Sequence, residues 1–275
     1  MPQSRFRIIH FSDPHIALFS FRHGGFFDKR LFGRLNHCLR RRRSLRLQRL
    51  QQAAELFASL EPDLLVCSGD LTSVGDPDEF ALAERLLAPI LELAGERFLY
   101  IPGNHDAYVQ DRRCRRALET TFHRLNRKTF HLQELPASLM LGPSEIILGN
   151  SARPSPIYSS NGAFSSQEWE RLESQLMSAK NTPFRLLLQH FPTLDSTGRP
   201  LGWRRRLKQA EQLLQWQQKN AFDALLCGHI HRPFLLEAPL PRIVCAGSLT
   251  LYGSFAIIDL DSNNNSIQCK IEKLA

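Results

Sequence analysis

The chain has no pair of cysteines at C-x-x-C spacing. Its six cysteines, Cys38, Cys67, Cys114, Cys227, Cys245 and Cys269, are scattered over 275 residues. That argues against both a disulfide framework and a structural zinc site. Cys67, Cys227 and Cys245 sit in or at the end of apolar runs, as small buried hydrophobes do. No apolar run approaches the ~18 residues of a membrane-crossing helix. Near the N-terminus the apolar burst from Ile8 to Phe11 is followed at once by Ser12 and Asp13. A secretory signal needs a longer hydrophobic region and a small-residue cleavage site. The expectation is a cytoplasmic protein. Internal repeats and long linkers are also missing. Hydrophobic residues make up 43% and charged residues 23%, which excludes disorder as the main state.

Acidic residues are scarce in one stretch. Between Arg22 and Arg49 stand ten basic residues and one acid, Asp28. This stretch alone carries +9 against +8 for the whole chain, so the remainder is close to neutral. Arginine outnumbers lysine 28 to 7, and arginine is the better bidentate partner for phosphate.

Elsewhere, strand-like and helix-like segments alternate. Arg7 to Phe11, Leu64 to Cys67 and Arg97 to Ile101 read as strands. Leu47, Leu50, Ala54 and Phe57 recur at helical spacing, and Pro77 to Leu93 reads as a helix capped by Asp76. In the second half, Ile146 to Leu148, Phe184 to Gln189 and Ala224 to Cys227 read as strands. Helices are expected over Ser165 to Ala179, with Ser165 and Glu168 as a capping box, and over Arg204 to Lys219. From Pro233 the pattern is strand only, with Asn263–Asn265 as a hairpin turn. This order predicts an α/β fold: a four-layer αββα sandwich, two mixed β-sheets packed face to face with helices outside. The expected organisation is a single domain over 1–275, with a basic insert at about 16–49.

The chemistry-bearing residues gather at strand ends. Asp13-Pro14-His15 follows the first strand and Gly69-Asp70 the second. Gly103-Asn104-His105-Asp106 follows the third. His190 and Gly228-His229-Ile230-His231 follow later ones. Ligands of open α/β sheets collect at the carboxyl ends of strands. Asp, Asn and neutral His are ligands for borderline divalent ions such as Mn, Fe, Zn or Ni. In a loop leaving a strand, residues i and i+2 can converge on one ion, and an Asp between two clusters can bridge two.

The ordered series D-x-H, G-D, G-N-H-D, H and G-H-x-H, from Asp13 to His231, closely resembles the calcineurin-like metallophosphoesterase superfamily. The resemblance implies two divalent metal ions, with Mn2+ first and Fe, Zn or Ni as alternatives. Asp13, His15 and His231 would bind one; Asn104, His190 and His229 would bind the other; Asp70 would bridge them. His105 would face the phosphate and assist the leaving group, and Asp106 would hold His105 in place. Pro14 stands where the family often has an aliphatic residue, and His190 stands alone where many members have a His-His pair. Two divalent ions and two carboxylates leave such a site at about +2, suited to a phosphate anion.

The insert from Ile16 to Arg49 is long for a connection inside a domain. Within it Leu31, Leu35 and Leu39 recur at four-residue spacing beside basic residues, and Arg40, Arg41, Arg42 and Arg43 follow. Three readings are open. The insert meets an anionic membrane or a lipid substrate, it binds nucleic acid, or its leucines pack on the core with the arginines in water. The Lys-Arg-Leu-Phe-Gly-x-Leu-Asn run before the arginines resembles the chlamydial-type branch of the lipid A pathway pyrophosphatases. That resemblance implies cleavage of UDP-2,3-diacylglucosamine to lipid X and UMP, with peripheral placement on the inner face of the inner membrane. A cyclic-nucleotide or other phosphodiesterase is the alternative, followed by a nuclease and a non-catalytic docking module.

Overall fold

A computed structural model describes residues 5–25, 28–36 and 45–274. The expected Arg40–Arg43 cluster, and Leu39 of the leucine stripe, lie outside the described residues.

The first sheet is built from β1 (Arg5–Phe11), β2 (Leu64–Cys67), β3 (Phe98–Tyr100), β10 (Ser254–Asp261) and β11 (Ser266–Lys273), in the order β11-β10-β1-β2-β3. The chain-internal strands β1, β2 and β3 run parallel, while β10 and β11 add as an antiparallel hairpin. The second sheet holds β4 (Ala137–Leu141), β5 (Ser144–Leu148), β6 (Phe184–Leu188), β7 (Ala224–Cys227), β8 (Phe234–Leu236) and β9 (Ile243–Cys245), in the order β4-β5-β6-β7-β9-β8. Its centre is parallel and both edges are antiparallel. Both sheets are therefore mixed, as expected.

Alternation along the central strands explains the layering. Ile146, Leu148, Leu186, Leu188, Leu226 and Val244 belong to the core shared with the first sheet. Ile147, Leu187, Leu225, Cys227 and Ile243 belong to a second core on the opposite face. That face is covered by α5 (Ser166–Met177) and α6 (Ala210–Gln218) through Leu172, Leu176 and Leu213. The first sheet is covered by α2 (Gln48–Ser59) and α3 (Pro77–Ala94), which contribute Leu50, Phe57, Ala83, Leu87 and Ile90. Strands buried on both faces must be apolar at every position, which is why Leu64–Cys67 and Ala224–Cys227 carry no polar residue.

Local signals fix the helix ends. Asp76 accepts from the Asp78 amide at the start of α3, and Pro77 takes the first helical position. Ser165 and Glu168 close the expected capping box on α5. Two elements differ from the sequence reading. α6 begins at Ala210 rather than Arg204, because the carbonyls of residues 204–206 bond to Ser160, His229 and Gly162 instead of to a following helical turn, and Arg204 and Arg205 line the cleft described below. α4 (Arg112–Leu125) was not foreseen. Its apolar positions Cys114, Leu118, Phe122 and Leu125 lie three or four residues apart among arginines, with Asp111 as N-cap.

The insert contains α1 (Lys29–Asn36), and its sidedness reverses the leucine-in, arginine-out alternative. Arg30 and Arg34 are only 2% and 3% exposed, whereas Phe32 and Leu35 are 56% and 43% exposed. The reason is acid placement. Arg34 pairs with the buried Asp76 carboxylate at 2.8 Å, and Arg30 reaches Asp28 at 2.8 Å and Asp111 at 3.7 Å. Two helix N-caps, Asp76 and Asp111, thereby dock α1.

Candidate dimetal site

Five strand ends bring the site together. The ends of β1, β2 and β3 in the first sheet deliver Asp13, His15, Asp70 and Asn104. The ends of β6 and β7 in the second sheet deliver His190, His229 and His231. Close approach is possible because the flanking residues have no side chain. A Cβ on Gly103 would stand 2.1 Å from Asp70 Oδ1, and one on Gly228 would stand 2.4 Å from Asp13 Oδ2. The ligand residues also take an uncommon backbone. Asp13 (φ 53°), His15 (48°), Asp70 (54°), His229 (70°) and His231 (64°) all lie in the left-handed region. Such conformations persist where surrounding bonds over-determine them. Here Asp13 N donates to Gly69 O at 3.0 Å, His15 N to Asp70 O at 2.9 Å, and Ser248 Oγ to Asp13 O at 2.7 Å. His229 N donates to Asp13 Oδ2 at 3.0 Å, which ties one sheet's ligand loop to the other's.

One donor from each of Asp13, His15, Asp70 and His231 lies within 4.8 Å of the others. His15 Nε2 and His231 Nε2 face each other at 2.8 Å, and each is 3.5 Å from Asp13 Oδ1. Asp70 Oδ2 stands 3.7 Å from His15 Nε2 and 3.4 Å from His190 Nε2, so it lies between this group and a second one. In the second group His229 Nδ1 and Asn104 Oδ1 are 2.9 Å apart, while His190 Nδ1 is held on Ser68 O at 2.7 Å. Asp13 Oδ1 and His190 Nε2 are buried without a hydrogen-bond partner among the described residues. Orphaned donors of this kind, converging with oxygen and nitrogen ligands, fit two divalent cations.

The electrostatics agree. Burial alone would raise Asp70, but the imidazoles of His190, His105 and His15 outweigh it and hold the carboxyl well below its usual range. Burial raises Asp13 against the pull of His190 and His231. His190, disfavoured as a cation by burial, is pushed up to about 9 by the Asp70 and Asp13 carboxylates. Burial and neighbouring His190 hold His229 well below its ordinary value. The carboxylates of Asp13 and Asp70 thus stand among the imidazoles, an arrangement of charge that fits bound cations.

His105 and Asp106 follow Asn104 in the same loop but face different ways. His105 lines the cleft, and its Nδ1 sits 2.6 Å from Ser73 O. Asp106 was expected to hold that ring. Its carboxylate instead accepts from the amides of Leu71, Thr72 and Gly103, from Thr72 Oγ1 and from Tyr100 Oη. It knits the Asp70 and Asn104 loops together, while the His105 ring contacts the Ser73 carbonyl and stacks on Tyr108. Burial and the Asp70 charge push Asp106 up to about 6.

The cleft over this centre measures about 500 Å³. Its far wall carries Tyr158, Arg204 and Arg205; its near wall is Tyr108 and Lys29 from α1. Lys29, Tyr108 and Arg205 were not foreseen, since nothing in their local sequence separates them from neighbouring surface residues. Leu31 and Leu35 do not line the cleft.

Comparison with known proteins places these features in a family. Among curated proteins, the chain is 28% identical over 180 residues to a probable glycerophosphodiester phosphodiesterase of Arcobacter nitrofigilis, covering 62% of this chain and 58% of that one. It is 30% identical over 105 residues to a cAMP/cGMP dual specificity phosphodiesterase of Mycobacterium tuberculosis, covering 38% of this chain and 28% of that one. The chain therefore spans less than two thirds of the length of either relative. Among solved structures, a dimetal phosphatase of Danio rerio superposes with a TM-score of 0.69 at 14% identity, covering 98% of this chain and 96% of that one. A purple acid phosphatase of yellow lupin gives 0.63 at 14% identity, covering 98% and 52%. At such identities the superpositions speak for the fold. The family model described as calcineurin-like phosphoesterase matches residues 6–233, a span that holds every candidate ligand from Asp13 to His231, and on that match the chain belongs to the calcineurin-like phosphoesterase family.

Proposed function

We propose that this chain is a dimetal phosphodiesterase. The observation that carries the reading is the shared position of Asp70 Oδ2 between the two ligand groups, with His105 on the cleft side of the same loop. Both curated relatives are named as phosphodiesterases, which favours a diester over a monoester.

Asp13, His15, His231 and Asp70 would hold one ion, and Asn104, His190, His229 and Asp70 the other. Two divalent ions supply Lewis-acid charge against a phosphoryl oxygen and lower the pKa of a water. The protein's own part is positioning and proton transfer. A carbonyl only accepts, so the Ser73 contact keeps hydrogen on His105 Nδ1. The proton delivered to a leaving alkoxide would then come from Nε2 of the imidazolium, which is general-acid work. Lys29, Arg204 and Arg205 raise the positive field at the mouth and favour anionic substrates.

Metal-stripped protein should be inactive on bis-p-nitrophenyl phosphate and regain turnover with Mn2+. Asp70→Asn should lose both turnover and metal content. Turnover by the stripped protein, or full activity of Asp70→Asn, would refute the reading.

A second reading concerns the alcohol. Phe19, Phe32 and Leu35 of the insert are exposed, and α1 borders the cleft. They favour a lipid-linked diphosphate such as UDP-2,3-diacylglucosamine, cleaved by a cytoplasmic protein resting peripherally on an anionic membrane. Turnover of this lipid in mixed micelles, against 3′,5′-cyclic AMP, decides between the readings. Co-sedimentation with anionic vesicles, lost on changing Arg40, Arg41, Arg42 and Arg43 to Ser, tests the membrane contact.

A further inference from the structure

One buried carboxyl group belongs to neither ligand group and is not needed to close its own helix. Glu79 lies in the first turn of α3 and is 1% exposed, and Asp76 already caps that helix. The Glu79 side chain turns back instead to the segment that leaves Asp70. Its Oε2 accepts from the amides of Ser73, at 3.1 Å, and Val74, at 2.8 Å, and its Oε1 accepts from the Leu18 amide at 3.2 Å. Burial pushes its pKa up to about 8 against the pull of those three amides. An apolar residue filling the same space would carry no such cost.

The Val74 amide and the Ser73 carbonyl belong to the same peptide unit. That unit is planar, and in the trans form its N–H and C=O point in opposite directions. Glu79 holds the N–H, and on the other side the carbonyl oxygen stands 2.6 Å from His105 Nδ1. Fixing one end of a rigid plane aims the other. The surroundings leave that plane little room. Ser73 N also donates to Ile16 O at 3.0 Å, and Thr72 Oγ1 donates to Asp106 Oδ1 at 2.9 Å. A Cβ on Gly75 would stand 2.7 Å from Asp106 O and 3.2 Å from His105 O. The turn 72–75 and the loop that carries His105 are thus packed backbone to backbone, and Glu79 sets the tilt of the peptide between them.

We propose that Glu79 is a positioning residue for His105: through the Ser73–Val74 peptide it holds the imidazole with hydrogen on Nδ1 and with Nε2 directed to the leaving oxygen. This rests on the phosphodiesterase reading and goes beyond it, since it gives a role to a side chain that lies behind the site.

The test is a double-substitution cycle on the Mn2+-loaded protein. The substrates are methyl phenyl phosphate and methyl p-nitrophenyl phosphate, which differ only in the leaving phenol, the nitrophenol being the better leaving group. Glu79→Met should lower kcat on the phenyl ester about 10-fold, a part of the ~10²–10⁴ of general-acid catalysis, and by less than about threefold on the nitrophenyl ester. KM and metal content should hold. Glu79→Gln, which keeps one acceptor oxygen for the Val74 amide, should restore most of the loss. In a His105→Ala background, Glu79→Met should cost less than about threefold on either ester. No loss, an equal loss on both esters, an additive loss in that background, or a fall in metal content would each overturn the proposal. If Glu79→Met does not fold, Glu79→Ala, which admits water to the same amides, takes its place; failure of both to fold would overturn the proposal too, since Glu79 would then serve the fold. Nitrogen-15 NMR of the imidazoles in the Zn2+-loaded protein needs no turnover. The neutral His105 ring, assigned by its absence from His105→Ala, should carry hydrogen on Nδ1 in wild type and lose that preference in Glu79→Met. Wild type inactive on both esters with that difference present would remove the diesterase reading and leave the positioning role standing. The same tautomer in both proteins would overturn the role whatever the activity.

Discussion

His105 is the residue on which chemistry and metal binding come apart. It makes no part of either converging ligand group, and its ring rests on Ser73 O. His105→Ala should keep both metals, measured by elemental analysis, and lose ~10²–10⁴-fold in turnover, less for substrates with good leaving groups. A fall in metal content would place it among the ligands instead. Gly103→Ala is expected to do the opposite. The added Cβ meets Asp70 Oδ1 at 2.1 Å, so metal content should fall although no ligand is replaced. His10 offers a pH test. It is buried on β1 with Nε2 on Ser68 Oγ at 2.8 Å, and burial lowers it to about 3. Its folded pKa lies below the unfolded value of ~6.5, so its share of stability is complete above pH 6.5 and is lost as pH falls toward 3. The slope approaches ~1.4 kcal/mol per pH unit. Denaturant titrations of chelated wild type and His10→Met at pH 7, 6 and 5 should show the variant losing less on acidification; parallel losses would contradict this. At this scale the candidate ligands could be named from the sequence, because an ion restricts residue types and a tight turn restricts the residue beside them. The left-handed backbone of five of them could not. Asp and His carry no local mark of it, and it is imposed by contacts more than 50 residues apart in sequence, such as Asp13 with Gly69.

Among the elements, α1 is the one whose docking depends on charge. Replacing Arg34 with Met leaves Asp76 buried beside Arg30 alone, 3.8 Å away. Breaking a buried pair costs up to ~3–5 kcal/mol, and Arg30 should hold the loss near the lower end. Denaturant unfolding reads the loss, and faster proteolysis within 16–47 should accompany it if α1 lifts. An unchanged unfolding curve would mean that Arg34 is solvated in solution. The central strands and the helices α2, α3 and α5 were readable because each is set by local periodicity, with a side-chain cap on α3 and α5. The polarity of α1 was not, since the acids that turn its arginines inward are distant caps of other helices. α4 was hidden by its charge: four arginines between Arg112 and Arg116 obscure an apolar stripe that appears only when Cys114 is counted as a hydrophobe. β4 was missed because it is a half-exposed edge strand whose apolar run, Leu139 to Leu141, is short.

Across the whole molecule, the ligand set joins two sheets. Asp13, His15, Asp70 and Asn104 belong to one and His190, His229 and His231 to the other. An ion bound by both also fastens the sandwich at that end. Anything that binds the folded chain and not the unfolded one adds RT ln(1 + [L]/Kd), ~2.7 kcal/mol at a hundredfold excess over Kd. Chelation should therefore lower the thermal midpoint, with recovery that depends on Mn2+ concentration. Asp70→Asn should blunt the response most, since Asp70 stands between both groups. A midpoint indifferent to chelator in wild type would show that the hydrophobic layers alone set cohesion. The sandwich was legible from the order of strands and helices. The cleft was legible only in part: the insert that follows His15 directly does stand beside the site, while Tyr108, Tyr158, Arg204 and Arg205 carry no local mark in the sequence.

That insert contributes a wall and no ligand. All seven candidate ligands lie outside the insert at about 16–49, while Lys29 lies inside. The candidate ligands and this part of the cleft wall are consequently written in separate stretches of the gene. Lineages could lengthen, shorten or recharge one stretch and explore new esters while the hydrolytic apparatus stays as it is. The same separation offers protein engineers a cassette: exchanging 16–47 among relatives, with Asp76 and Asp111 retained as its two moorings, should transplant preference without rebuilding the catalyst.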